Sequence, residues 1–199
     1  VTTLDVGCGV AIKYTEKDAP VGASSWSAAV SERVQEAFKS RRLLLPKLLI
    51  EPGRSIIGPA GVTLYRVGHC KDLPGGASFI AVDGGMADNP RPIMYQSRYT
   101  ACIANRAEAA PSAQARSIVG KYCESGDIII KETYLDAKTG DLIAIFGTGA
   151  YNFSMASNYN RSPRPACVLV ADGSADLIVA RESNEDLTRQ DRLPPRLSR

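Results

Sequence analysis

The chain predicts an α/β segment followed by an all-β domain: a first unit over residues 1–59 and a second over 60–199. Three observations carry this. Up to residue 59 the pattern runs strand, Gly-containing loop, amphipathic helix, strand, which is one βα unit of a parallel structure. Beyond it, short β-branched runs recur between Gly, Pro and Asp residues, the texture of an antiparallel β-sandwich or barrel. Within that second part, Val168–Val179 folds back on itself around Asp172-Gly173, a dipeptide suited to the tight turn of a hairpin.

Residues 2–6 are β-branched and apolar, and Gly7-Cys8-Gly9 turns out of them. A helix is predicted over about 25–40, where Trp26, Ala29, Val30, Val34, Ala37 and Phe38 share one face. Glu32, Arg33, Glu36 and Lys39 take the opposite face. Lys47–Ile50 is the next strand, and Glu51-Pro52-Gly53-Arg54-Ser55 reads as the turn at its end. There Pro fixes the backbone, Gly admits close approach and Arg offers a planar fork to an oxyanion. The Gly-rich turn at 7–9 follows an apolar strand in the same way, so the two strand ends together look like a phosphate cradle. The predicted strands of the second part are Val62–Val67, Phe79–Val82, Ser117–Val119, Ile128–Ile130, Leu142–Phe146, Cys167–Val170 and Leu177–Val179. A short helical tail closes the chain.

Composition excludes several classes of function. The chain of 199 residues is 44% hydrophobic and 23% charged, with a net charge of +3 and no long run of one sign, which argues against nucleic acid as a partner. No apolar run approaches 18 residues, and no signal-peptide pattern is present, so a cytoplasmic protein with no membrane partner is expected. The five cysteines form no C-x-x-C pair, and His69 is the only histidine, so no metal site is expected. Val1 begins inside a strand pattern, and the chain therefore reads as the C-terminal part of a longer protein.

The β part carries polar clusters that strand structure does not require. Two prolines flank Arg91, with Tyr95 four residues on, a rigid setting for an arginine aimed at a carboxylate. Cys123-Glu124 occupies a turn between strands, pairing a thiol that could act as acid with a carboxylate that could hold an ammonium group. Gly147-Thr148-Gly149-Ala150-Tyr151 follows a strand and offers the Tyr151 hydroxyl.

In this order, Asp5-Val6-Gly7-Cys8-Gly9, Glu51-Pro52-Gly53-Arg54, Arg91-Pro92-x-x-Tyr95, Cys123-Glu124-Ser125 and Gly149-Ala150-Tyr151 resemble the C-terminal half of the diaminopimelate decarboxylases. The resemblance implies pyridoxal 5'-phosphate as cofactor and the decarboxylation of meso-2,6-diaminopimelate to L-lysine. It implies the last strands and helix of an alanine-racemase-like β/α barrel, incomplete here, then a β domain, in a homodimer with shared active sites. By the same resemblance, Gly9 and Glu51, Pro52, Gly53 and Arg54 would hold the cofactor phosphate with the Tyr151 hydroxyl. Arg54, Arg91 and Tyr95 would bind the substrate's distal carboxylate, Glu124 its distal ammonium, and Cys123 would return a proton to the α-carbon, with Cys123 and Glu124 reaching the partner's site. Tyr151 would also border the substrate. Two departures stand out: Cys8 replaces the middle glycine of the first turn, and none of the eight lysines matches the one that family members use to hold the cofactor. The chain alone is therefore expected to be inactive. Decarboxylases of carboxynorspermidine, arginine or ornithine, and a dead paralogue that binds a partner decarboxylase, are the alternatives.

Overall fold

A computed structural model describes residues 1–7 and 9–197; the question raised by Cys8 lies outside the described residues. Strand β1 (Thr3–Asp5) pairs in parallel with β2 (Lys47–Leu49), with Leu4 opposite Leu48. Helix α1 (Ala23–Ser40) makes the connection between them, so the predicted βα unit forms. Its Trp26, Val30, Val34, Ala37 and Phe38 are half-buried, while Ala29, expected on the same face, is exposed. Lys39 in the last turn faces the negative end of the helix dipole.

The stretch after β2 differs from the predicted turn. Glu51 and Pro52 lead directly into a short helix, α2 (Gly53–Ile57), which no side chain caps. Pro52, at φ −79°, is already close to helical backbone, and this is why a Pro-Gly pair starts a helix here.

From Val62 onward six strands form one sheet: β3 (Val62–Asp72), β4 (Ser78–Val82), β5 (Ala101–Ile103), β6 (Pro111–Val119), β7 (Ile128–Leu135) and β8 (Leu142–Phe146). Their spatial order is β5-β8-β3-β4-β6-β7. All neighbours are antiparallel except β4 and β6, which run parallel with Ile80 opposite Ile118. The expectation of a purely antiparallel sheet is corrected at that pair. The chain between β4 and β6 makes a long excursion, and only such a connection can return a strand in the same direction. The two edge strands, β5 and β7, approach within 8 Å between Cα atoms, so the sheet is barrel-like and nearly closed. Ile80, Ile118, Ile143 and Ile145 are fully enclosed in it, with Val67, Tyr65 and Tyr99 beside them.

Strands β9 (Cys167–Ala171) and β10 (Ser174–Val179) make the predicted hairpin. Asp172 and Gly173 have φ of 50° and 77°, the two positive values that its two-residue turn needs. Helix α4 (Asn184–Thr188) follows, started by a capping box between Ser183 and Asp186. Among the described residues no helix is long and apolar enough to cross a membrane.

Candidate active site

Two arginines far apart in sequence meet around one tyrosine. Arg54 enters from α2, and its Nη1 donates to the Tyr14 hydroxyl at 2.6 Å. Arg91 opens helix α3 (Arg91–Tyr95), where Pro90 and Pro92 suit the first turn because their missing N–H groups would be unpaired there anyway. Arg91 is buried: its Nε donates to the Tyr99 hydroxyl and its Nη2 to Ser97 Oγ, both at 3.1 Å. The Arg54 guanidinium lies 5.8 Å from the Tyr14 ring and 5.2 Å from Tyr151. That of Arg91 lies 6.0 Å from Tyr14, 5.6 Å from Tyr95 and 5.9 Å from Tyr151. These are distances at which a ring face attracts a cation. Among the described residues neither arginine pairs with a carboxylate. A buried cation without a counter-ion is costly, so the arrangement suits an anion arriving from outside.

Tyr151 reaches this place through a close crossing of backbones. Gly149 N donates to Gly58 O at 3.1 Å and Thr148 N to Gly61 O at 3.0 Å. A Cβ on Gly61 would collide with the Gly149 backbone, and one on Gly149 with the Ile57 carbonyl. The turn at 147–151 is thereby clamped to the end of α2. Tyr151 itself has φ of 64°, a conformation that a bulky residue adopts only when its surroundings hold it there. Next to it the buried Asn152 carboxamide lies 2.6 Å from that of Asn89 and 3.4 Å from the Tyr99 hydroxyl, so α3 and the 147–152 turn share one polar network. A Cβ on Gly53 would sit 3.1 Å from the Tyr151 hydroxyl. Only glycine leaves that space open.

The first turn joins the same region. Gly7 (φ 71°) donates to Asp5 Oδ1 and accepts from Glu51 N, both at 2.8 Å. Gly9 lies against the Trp26 indole. Gly9, Glu51, Pro52, Gly53, Arg54 and Tyr151 thus belong to linked segments, with Arg91 and the half-exposed Tyr95 on α3 beside them.

Cys123 and Glu124 occupy a different place. Their turn flanks α3 through Ile93, whose tip a Cβ on Gly126 would meet at 2.6 Å. Among the described residues no hydrogen bond, ion pair or ring contact joins either residue to Arg54, Arg91 or Tyr151. The Cys123 thiol is free and exposed. Glu124 accepts from the Tyr159 hydroxyl, and that bond holds the phenol above its ordinary pKa range. Tyr159 in turn packs edge-on against Tyr122, at 5.6 Å between ring centroids.

Sequence reasoning missed Tyr14 and Tyr99. Tyr14 bonds Arg54, packs edge-on against Tyr99 at 5.4 Å and covers Gly147. A lone aromatic in the polar run from Lys13 to Asp18 was the available signal, since that run has no helical or strand period to explain it. Among the described residues no group of three or more His, Cys, Asp or Glu side chains is placed to hold a metal ion.

The family described as pyridoxal-dependent decarboxylase, C-terminal sheet domain, matches residues 14–149. A diaminopimelate decarboxylase of Synechocystis is 49% identical over 198 residues, 99% of this chain and 42% of that protein. One of Bacillus subtilis is 49% identical over 189 residues, 94% of this chain and 43% of that protein. The chain thus spans less than half the length of the curated relatives it matches. A crystal structure of diaminopimelate decarboxylase from M. jannaschii in co-complex with L-lysine superposes with a TM-score of 0.89 at 32% identity, covering 100% of this chain and 44% of that one.

Proposed function

Because the chain belongs to the pyridoxal-dependent decarboxylase family, we propose that it is the C-terminal part of a diaminopimelate decarboxylase, releasing carbon dioxide from meso-2,6-diaminopimelate to give L-lysine. The observation that carries this reading is the pair Arg54 and Arg91, two guanidinium groups converging on Tyr14 and Tyr151 without a carboxylate partner among the described residues. In this reading residues 1–59 complete a β/α barrel, residues 60–199 form the β domain, and the enzyme works in the cytoplasm.

The residues present fit pyridoxal phosphate. The open space over Gly53, the Tyr151 hydroxyl bordering it and the uncapped start of α2 supply neutral donors for a phosphate, with Arg54 as the nearby cation. When bound, that cofactor supplies an electron sink for the charge left as carbon dioxide departs. Glu51 N ties this stretch to the Gly7 carbonyl of the first turn, beside which Gly9 would offer its backbone amide.

This chain's side chains supply selection and proton transfer. A substrate with an amino-acid group at each end calls for a guanidinium at one distal charge and a carboxylate at the other. Arg91, held by Tyr99 and Ser97, is rigid enough to select a distal carboxylate, with Arg54 and Tyr95 assisting. A ligand lacking that group leaves the buried cation unpaired and is rejected. Glu124, oriented by Tyr159, would take the distal ammonium, and the Cys123 thiol would give its proton to the α-carbon. Both stand apart from Arg91 within the chain, which supports a homodimer in which each copy lends this turn to the other's site.

The test is made on the full-length protein that carries this chain, given pyridoxal phosphate and meso-diaminopimelate and assayed for lysine and carbon dioxide. Lysine release is expected, and Arg91→Ala is expected to lower kcat/KM on diaminopimelate by about 100-fold, as for loss of a buried charge partner. Cofactor binding without lysine would overturn the reading.

A further inference from the structure

Asp127 is a buried carboxylate that neither the phosphate side nor the arginine pair uses. It lies at the foot of the turn that carries Cys123 and Glu124, and only 4% of it is exposed. Its two oxygens accept from different loops: Oδ1 from Met86 N at 2.7 Å, Oδ2 from Tyr122 N at 2.9 Å. Its own backbone closes the turn, with N donating to Glu124 O at 3.1 Å and O accepting from Gly120 N at 2.9 Å. A second tie, Lys121 N to Gly84 O at 3.0 Å, runs alongside. The walls around the carboxylate are bare. A Cβ on Gly85 would come within 2.6 Å of it, and one on Gly120 would collide with it.

The loop at the other end of this bond is the one that delivers Arg91. Asp88 and Asn89 both donate their N–H to Gly85 O, and Asn89-Pro90 runs directly into α3. The same loop holds the segment after α3's partner network, since Ser157 N donates to Ala87 O at 2.8 Å. Among the described residues Asp127 is thus the one side chain that bonds the Cys123–Glu124 turn to the loop preceding Arg91. A surface turn needs no such group. Capping a turn takes one acceptor oxygen, whereas here the second is spent on a separate loop, in a space that two glycines keep clear.

We propose that Asp127 is a positioning residue, fixing the Cys123–Glu124 turn against the Arg91 loop so that the thiol and the carboxylate are held where the reaction needs them. This rests on the reading of Cys123 and Glu124 given above. Replacing the carboxylate by an amide puts an N–H₂ group against one of two N–H donors, so one of the two ties is lost while the side chain's volume is kept.

The experiment is a double-mutant cycle in the full-length enzyme, with Asp127→Asn, Cys123→Ala and the pair. Asp127→Asn is expected to lower kcat by about 100-fold, the scale of a misplaced reacting group, with a lowered melting temperature for the lost buried bond and bound cofactor unchanged. In the Cys123→Ala background it is expected to lower kcat no further, because it acts through the thiol. If D127N does not fold, Asp127→Ser, which keeps one acceptor, carries the same cycle with a smaller expected loss. Full additivity of the two losses, or wild-type kcat in both Asp127 variants, would overturn the inference. Failure of the unaltered enzyme to make lysine would instead overturn the functional reading.

Discussion

The six-stranded sheet and the β1-α1-β2 unit bury their apolar residues very differently. Ile80, Ile118, Ile143 and Ile145 are at 0% exposure in the sheet, whereas α1 and β2 have no buried residue at all. Leu44, in the link between α1 and β2, is 90% exposed, and Ile56 on α2 is 71% exposed. The sheet encloses its own core because it nearly closes. A pair of parallel strands with one helix cannot, and needs further strands and helices on its faces. In the architecture proposed above, the rest of a β/α barrel covers those faces. The proposed site would lie between the two regions, with Arg54 on one side and Arg91 and Tyr151 on the other. It therefore depends on the joint rather than on either region's stability.

The largest effect that could break this comparison is a cavity. Ile118→Ala should destabilise the chain by about 2–5 kcal/mol, the range for truncating an enclosed isoleucine, while Val34→Ala on the half-buried face of α1 should cost less than about 1 kcal/mol. Equal shifts of the urea midpoint for the two variants would mean that both regions unfold as one body with one core.

The joint itself comes next. Gly149→Ala should cost about 1–3 kcal/mol by overpacking, and should weaken phosphate binding in the full-length protein because it pushes Tyr151 away from Gly53. A variant with normal stability and normal cofactor affinity would show that the crossing at Gly58, Gly61 and Gly149 does not set the site.

The smallest effect concerns charge inside the sheet region. Arg106 binds Asp141 through Nη2–Oδ2 at 2.6 Å and Nε–Oδ1 at 3.1 Å, and Lys138 N adds a third bond at 2.7 Å. The Arg106 guanidinium, first, and these other donors hold the Asp141 carboxyl at about 2, below its ordinary 3.8. A lowered carboxylate stabilises the fold above its unfolded value, and that contribution fades as pH falls from about 4 toward 2. Acid titration of the sheet by circular dichroism should show this slope, and Asp141→Asn should flatten it while lowering stability at neutral pH.

Much of this was legible in the sequence where local chemistry decides the outcome. The hairpin at Asp172-Gly173 follows from two positive φ values that few other dipeptides accept, and α1 from a regular apolar face. What was not legible depends on distant partners. β5 is three residues, Ala101–Ile103, too short to show a period, and it is a strand only because β8 pairs with it. The parallel β4–β6 pair is set by the path of the chain between them, and no residue in either strand announces it. For the site, Arg54, Arg91 and Tyr151 were visible as residues in unusual local settings, and their convergence was not. Tyr14 and Asp127 were invisible as site residues because each is defined by what it touches: an arginine forty residues on, and a loop on another strand.

Trp26 is the sole tryptophan of the chain, and its indole lies against Gly9 on the lightly packed side of the molecule. The sheet holds tyrosines instead. Nature has thus supplied an optical reporter that is confined to one region: indole emission reads the turn at 7–9 and the seating of α1, and it is blind to the isoleucine core. Monitored together with the backbone signal of the strands, this single indole, excited to the red of the eight tyrosines, lets the two regions be followed separately in one cuvette, with no label added.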